Sequence, residues 1–545
     1  MEQLFRGNII TMDRERPEAG GIWVSQGIIR QVGDFEELRR EHPRAAVEDW
    51  GGRTILPGFV DGHSHLSAVA FGLLLFDASP SPQGGCDSVE DLVRAGKKYL
   101  AEASLTPGQW LLGLGYDNAV MEGERHPTRH DLDRISREIP VAVTHVSGHL
   151  CAVNTRAMEL LGYLGEHPEV PEGGEVYPQG LLKETAFTHP AKAALMKGPG
   201  PEQLVAAVGR ASRLYASYGI TTAQDGRTTP RDLDLLLGAG KAGVLLGDVA
   251  CCLDPEAAQK HLPRGGSPSE NPYRDRCRMA AVKLYLDGSP QGKTAWLSQP
   301  YYRAPEGKEP DYRGFPVQKE ENVREFFLQA IGNRWQVNVH ANGDAAIQQM
   351  IDCWRQAVEK AGTGRELRPV VIHCQTVRRE QLREMARLGM LASFFHDHVY
   401  YWGDYHYESV LGPERAGRIS PLRWAMEEGV PFTLHQDSPV VRPDVMLAVK
   451  NAVCRRTRGG RVLGEEQRIG VTEALRACTA AGAYQLFEED RKGSVTPGKL
   501  ADLVVLGADP RTAAPEAIGE IPILATYKEG RSVFRSVRES SARRK

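Results

Sequence analysis

The sequence predicts an α/β protein: a (β/α)8 TIM-like barrel, a small β domain assembled from both chain ends, and an insertion after the first barrel strand. Three observations predict it. Short apolar runs alternate with amphipathic helical text from residue 201 to about 490. These runs number eight once the one ending at His65 is included, and strand-and-turn text of similar texture stands at both chain ends. Short buried strands alternating with helices argue for a parallel sheet, and eight of them for its closure into a barrel.

Taken in order, residues 22–24, 28–33 and 54–56 read as strands, punctuated by Gly20-Gly21 and Gly51-Gly52. The far end has Gly493-Ser494-Val495 and strand-like runs at 501–506 and 525–530. Neither piece is large enough for a good core alone. Both are therefore expected to meet in one β domain, residues 1–56 plus 491–545, with the barrel, 57–490, between them. The first barrel strand leads through Phe59-Val60-Asp61-Gly62 into His63-Ser64-His65, and the others are expected at 219–223, 244–250, 279–284, 336–340, 369–373, 390–394 and 431–435. The count requires residues 67–200 to be an insertion, with its own strands at 110–114 and 141–145 and a Gly/Pro-rich piece at 168–180. Because it leaves from the C-terminal mouth of a strand, it is expected to lie over the active-site face.

The bulk numbers exclude several classes. At 545 residues, with 41% hydrophobic and 25% charged residues, the chain reads as ordinary globular protein. A net charge of -3 gives no electrostatic footprint for nucleic acid. Arg535, Arg538, Arg543, Arg544 and Lys545 form the basic cluster, and at a chain end they read as a solvated tail. No apolar run approaches the ~18 residues of a membrane span, and Asn8-Ile9-Ile10 is too short for a signal peptide. Nine cysteines, odd in number and without C-x-x-C, argue for reduced thiols in a cytoplasmic protein. The expected partners are a small-molecule substrate and, as an assembly, a homodimer, with neither nucleic acid nor membrane.

Chemistry collects at the strand ends. Strand one gives His63 and His65, which on a strand two residues apart project to one face. Strand four carries Lys283, strand five ends in His340 and strand six in His373. Strand eight is followed by Asp437, placed by the period of two on the face of Thr433 and His435. A single histidine at a strand end is more often a satisfied hydrogen-bonder than a ligand. Their joint placement, where barrel enzymes gather catalytic groups, is the strong signal.

The stretches PGFVDGHSHL, VKLYLDGSPQGKTA, VNVHANGDAAI, VVIHCQ and LHQDSPV resemble the successive strand motifs of the metal-dependent amidohydrolase superfamily. THVSGHLCAVNTRAMELLG, YWGDYHYESVLGPERAGRISPLR and GSVTPGKLADLVVL are similar to the branch of N-substituted formamide deformylase-like proteins, amidohydrolase family 3. The resemblance implies that the β domain is a sandwich. It also implies that His63 and His65 bind one metal with Asp437 close to it, that His340 and His373 bind a second, and that Lys283 bridges the two as a carbamate. If Lys283 instead pairs with Asp287, the site is mononuclear.

A divalent metal, zinc above all, one or two ions per chain, suits this donor set, with Mn²⁺, Fe²⁺ or Co²⁺ as alternatives. Asp437 would take a proton from water and pass it to a leaving nitrogen. Asn338, Asn342, Asp344 and Gln375 are candidates to orient imidazoles, though each also reads as a structural polar group. His149, His398 and Trp402 are candidates to face substrate, with Tyr400 and Tyr401 either walling an apolar pocket or packing a loop. Gly288 to Thr294 resembles a phosphate loop but has three residues between its glycines where that motif needs four. The reading is a metal-dependent hydrolase of a C–N bond in an amide, an N-substituted formamide or a cyclic amide. The same barrel with esterase or decarboxylase chemistry is the alternative. A non-catalytic binding protein would be expected to lack ligands, and here all six candidate positions are filled.

Overall fold

The computed structural model describes residues 2–81, 84–103, 105–106, 108–118, 121–145, 150–165, 167–266, 268–305 and 307–536. The chain divides into two compact units, Met1–Ser67 with Ser212–Lys545, and Ala68–Ala211.

The larger unit contains eight parallel strands, hydrogen-bonded in chain order. They are Phe59–Asp61, Ile220–Thr228, Asp248–Leu253, Cys277–Tyr285, Val337–Ala341, Val370–His373, Leu391–Phe394 and Phe432–Leu434. Their apolar text follows from burial on both faces: every residue of Asp248–Leu253 and of Val370–His373 is buried. The third strand starts later than its apolar run. Gly243 lies at φ 68° and the Val244 amide donates to Ala239 O, so the stretch expected as the strand start instead closes the preceding helix.

Helices cover the sheet for equally local reasons. Pro230–Lys241 opens with proline and a reciprocal Thr229–Asp232 capping box, and buries Leu233, Leu236, Ala239 and Gly240. Asp344–Ala361 buries Ile347, Met350, Ile351, Trp354 and Val358 along one face and stops at Gly362, φ 69°.

The two chain ends form one seven-stranded sheet in the order Arg531–Arg535, Ile523–Lys528, Leu503–Leu506, Ala46–Pro57, Glu2–Ile10, Glu18–Ser25, Ile28–Gly33. Phe5, Ile9, Ile22, Val24, Ile55, Leu503, Val505 and Tyr527 make its buried cluster. A buried ionic network ties this sheet to the barrel. Asp248, at the start of the third barrel strand, accepts from Lys492 at 2.7 Å and Lys528 at 2.6 Å. Burial alone would raise the Asp248 carboxyl, but the two ammonium groups outweigh it and hold the group well below the usual carboxylate range.

Replacing Asp248 with Asn should destabilise the fold by up to about 3–5 kcal/mol, because two buried ammonium groups lose the carboxylate they share, Lys492 keeping only Glu488 and Lys528 only Asp502. Denaturant melts read this directly. The folded pKa of Asp248 is depressed, so its stabilisation is complete above the unfolded-chain carboxylate pKa and is lost as pH falls. The difference between wild type and variant should therefore shrink in acid.

The Ala68–Ala211 unit has its own mixed six-stranded sheet, in the order Gly174–Val176, Leu181–Glu184, Leu150–Val153, Val141–His145, Leu111–Tyr116, Phe76–Asp77. Leu92, Val93, Leu111, Leu132, Val141 and Val143 form part of a core inside it. All nine cysteines of the chain are free and buried. Among the described residues, no helix is long and apolar enough to cross a membrane.

Candidate metal centre

The first barrel strand ends at Asp61, so His63 and His65 sit in the turn beyond it and strand alternation does not place them. The turn does. His63 Nδ1 meets Gln224 Oε1 at 3.1 Å, which leaves Nε2 as the lone-pair nitrogen, 3.0 Å from Lys283 Nζ. His65 forms an isolated backbone bridge with Asp225, and its ring lies 5.1 Å from that of His63. Gly226 is required here, because a methyl group at that position would run into the His63 ring.

Strand eight ends at Leu434, so the period of two does not reach Asp437 either. Asp437 adopts φ 54°, a left-handed conformation that costs on the order of 1 kcal/mol outside glycine. Its amide donates to His63 O at 3.3 Å, and the His65 amide donates to Ser438 O at 2.8 Å, which joins the two loops. Asp437 Oδ1 thereby stands 3.6 Å from His63 Nε2 and 3.3 Å from His65 Nε2. Donor atoms of His63, His65 and Asp437 lie within 4.8 Å of one another, the one such three-residue group among the described residues.

Lys283 is fully buried, and burial pulls its amine down to about 8. It does not pair with Asp287. That carboxylate accepts from the backbone amides of Asn342 at 3.0 Å, Gly343 at 2.7 Å and Trp296 at 3.0 Å.

Across the mouth, His373 Nε2 lies 3.1 Å from His340 Nδ1, and His435 Nε2 lies 3.3 Å from His373 Nδ1. The His63 ring is 5.7 Å from that of His373 and 5.2 Å from that of His435, so all four belong to one cluster. His373 also has a positive φ, 70°. Burial is the main cause that lowers His340 to about 4 and His435 to about 3, leaving both neutral near pH 7 with lone pairs available. His435 joins this cluster, though the motif reading passes it over. Its signal was its position at the end of strand eight, on the Thr433 face. Its Nδ1 meets Ser393 Oγ at 2.8 Å; Thr433 and Gln485 extend the chain, and Gln485 Nε2 donates to Gly62 O at 2.7 Å.

The remaining candidates divide. Asn342 Nδ2 lies 3.1 Å from His340 Nε2 and so can orient it. Asp344 instead accepts from the Ser298 amide at 2.8 Å and pairs with Arg378, which fixes loops rather than imidazoles. Asn338 is buried on strand five in register with Lys283, and Gln375 bonds His406 at 3.1 Å. His398 bonds Gln291 at 3.1 Å, with its ring 4.2 Å from Phe395 and 6.5 Å from His373; Trp402 packs 5.4 Å from His398. Tyr400 and Tyr401 pack on each other at 5.1 Å. His149 lies outside the described residues. Lys293 of the phosphate-loop-like stretch donates to Arg303 O at 2.8 Å and Ser409 Oγ at 2.9 Å, so its charge is already engaged by protein.

The donor set fits a divalent cation. Asp437 Oδ1 is buried and has no hydrogen bond, yet two imidazole nitrogens flank it. Burial pushes its carboxyl up, but the His65 imidazole beside it reverses the balance and leaves the group below its ordinary value. Elemental analysis of protein purified without chelator should find between one and two transition-metal ions per chain. His63→Ala should remove metal while circular dichroism stays near wild type, since the residue lies beyond the strand end. Metal content near zero in the wild type would overturn the centre.

Comparison with known proteins gives three findings. The amidohydrolase family profile matches residues 46–534. An N-substituted formamide deformylase of Arthrobacter pascens is 26% identical over 540 residues, covering 97% of each chain, and the protein LONG AFTER FAR-RED 3 of Arabidopsis thaliana is 27% identical over 97% of this chain and 90% of its own. The crystal structure of a metal-dependent hydrolase from Pyrococcus horikoshii OT3 superposes with a TM-score of 0.75 at 24% identity, covering 94% of this chain and 99% of that one. At that identity the superposition speaks for the fold.

Proposed function

Because the chain belongs to the amidohydrolase family, we propose that it is a divalent-metal-dependent hydrolase that cleaves the C–N bond of a non-peptide amide, an N-substituted formamide or a cyclic amide. One observation carries the reading: the buried, unbonded Asp437 carboxylate oxygen between His63 and His65 at the barrel mouth. His63, His65 and Asp437 would hold one ion, and His340, His373 and Lys283 would complete the set; imidazole and carboxylate donors with open positions suit zinc. When bound, the metal supplies a water of lowered pKa and polarises the carbonyl it contacts.

The chain's own residues do the rest. Asp437 accepts the proton of the attacking water and delivers it to the leaving nitrogen. Lys283, as a neutral amine, adds CO₂ and releases one proton, which turns an uncharged amine into an anionic carbamate with two oxygens. Burial favours the neutral amine that this addition needs. Gln224 and Asn342 hold the His63 and His340 rings. His398, Trp402 and Phe395 offer an aromatic wall to the apolar part of the substrate. The 26% identity to a formamide deformylase supports N-substituted formamides as the first class to try. Nine free, buried thiols suit a cytoplasmic enzyme.

The test is a screen of metal-loaded protein against N-substituted formamides, simple amides, cyclic amides and matched esters, reading amine or alcohol release. Turnover of the esters with none of the three nitrogen classes would overturn the C–N assignment.

A further inference from the structure

Two amide–imidazole pairs flank the metal centre: Gln291 Nε2 with His398 Nε2, and Gln375 Nε2 with His406 Nε2, each at 3.1 Å. Their imidazoles are 6.0 Å apart, and the His398 ring is 6.5 Å from His373. His398, Trp402 and His406 share one helix face at four-residue spacing. The helix His398–Tyr405 runs directly into a π turn, His406–Val410, a local irregularity that frequently marks functional sites.

Each pair spends one atom of each partner and leaves the other over. Gln291 Oε1, His398 Nδ1, Gln375 Oε1 and His406 Nδ1 are all buried without a hydrogen-bond partner. Four such atoms, on two pairs whose imidazoles lie 6.0 Å apart, call for partners, because buried polar groups are otherwise satisfied. The leftover chemistry does not depend on how the amides are turned. If the amide N–H donates to the imidazole, the pair leaves a carbonyl acceptor and an Nδ1–H donor. If the imidazole donates to the amide oxygen, the pair leaves an amide donor and an Nδ1 acceptor. Either way each pair offers one donor and one acceptor, and no carboxylate, ammonium or guanidinium is hydrogen-bonded to either imidazole among the described residues.

We propose that Gln291, His398, Gln375 and His406 form a neutral polar subsite that recognises an uncharged group with both a donor and an acceptor, a carboxamide above all, and discriminates against ammonium groups. The subsite deepens the hydrolase reading and rests on it for its place in catalysis. It predicts substrates with a second, uncleaved amide or hydroxyl beside the scissile C–N bond. A charged group would enter this place without a counter-charge, which is why selectivity follows from the same geometry.

The experiment is a ligand-observed NMR titration of metal-loaded, full-length protein with propionamide, propionate and propylammonium, which needs no turnover. Propionamide should bind more tightly than propylammonium. Gln291→Leu and Gln375→Leu should each weaken propionamide by on the order of tenfold, with metal content unchanged. Propionate, drawn to the metal, should change less than about twofold. Equal losses for propionamide and propionate, or no loss of propionamide, would overturn the subsite. So would a crystal structure of the metal-loaded protein in which all four atoms are bonded by protein groups, or hold waters that propionamide does not displace. Gln375 is fully buried, so if its variant fails to fold, Gln291, in the partly exposed loop, carries the test. Selective binding of propionamide without amine release from any amide would leave the subsite standing and remove the hydrolase reading.

Discussion

Asp437→Asn is expected to lower turnover by about 10²–10⁴-fold, the usual loss when a general acid–base group is removed. The amide is nearly isosteric with the carboxylate but cannot accept a proton. The backbone does not confound the experiment. Asp437 sits at φ 54°, and asparagine tolerates that left-handed region as readily as aspartate. The loop is also held independently of the side chain, by the Asp437 amide on His63 O and the His65 amide on Ser438 O. Turnover and metal content must be read on the same preparation. Low turnover with metal retained identifies the base, whereas metal lost in parallel makes Asp437 chiefly a ligand. Turnover near wild type would take it out of the mechanism.

Lys283→Ala should cost more than roughly 100-fold in turnover, the upper end of what loss of an outer-shell partner costs, because the proposed bridging carbamate would serve both halves of the centre. Added short carboxylic acids should restore part of it by supplying the missing oxygens. The geometry sharpens this expectation. The one carboxylate that could have neutralised the ammonium from its own loop, Asp287, is taken up by three backbone amides. A buried amine whose nearest polar contact is the His63 imidazole at 3.0 Å is poorly explained as a structural cation. A crystal at neutral pH showing a bare Lys283 amine would end the idea, and so would an alanine variant as active as wild type.

The barrel was legible because strands buried on both faces leave runs such as Val370-Val371-Ile372 that little else in a soluble chain produces. Boundaries were less so. Val244 is as apolar as a strand residue, and only the closure of the preceding helix shows that its amide is already used. Among the candidates, His63, His65, His340, His373 and Asp437 stand out in the sequence because they lie next to apolar strands. The same rule hides His435, which reads as the last strand residue before the more conspicuous Asp437. The partners that hold these groups were harder still. Gln224, Gln291 and His406 meet histidines far away in sequence, and the donors that occupy Asp287 are backbone amides, which no side-chain motif can signal.

Ala46–Pro57 pairs with Leu503–Leu506, and the Trp50 indole reaches the Tyr527 hydroxyl across 477 residues. Once the chain is complete, bringing such distant segments together is inexpensive, since closure entropy grows only with the logarithm of length. During synthesis the order of events matters more. A nascent chain emerging at ~5–20 residues per second exposes the Ala46–Pro57 strand with one open edge for roughly 20 to 90 seconds before its partner leaves the ribosome. An unpaired edge of that kind is a template for pairing with another chain. The barrel and the Ala68–Ala211 unit, each with its own core, are translated in this interval. A polypeptide interrupted anywhere before Leu503 is therefore expected to keep that strand edge unpaired.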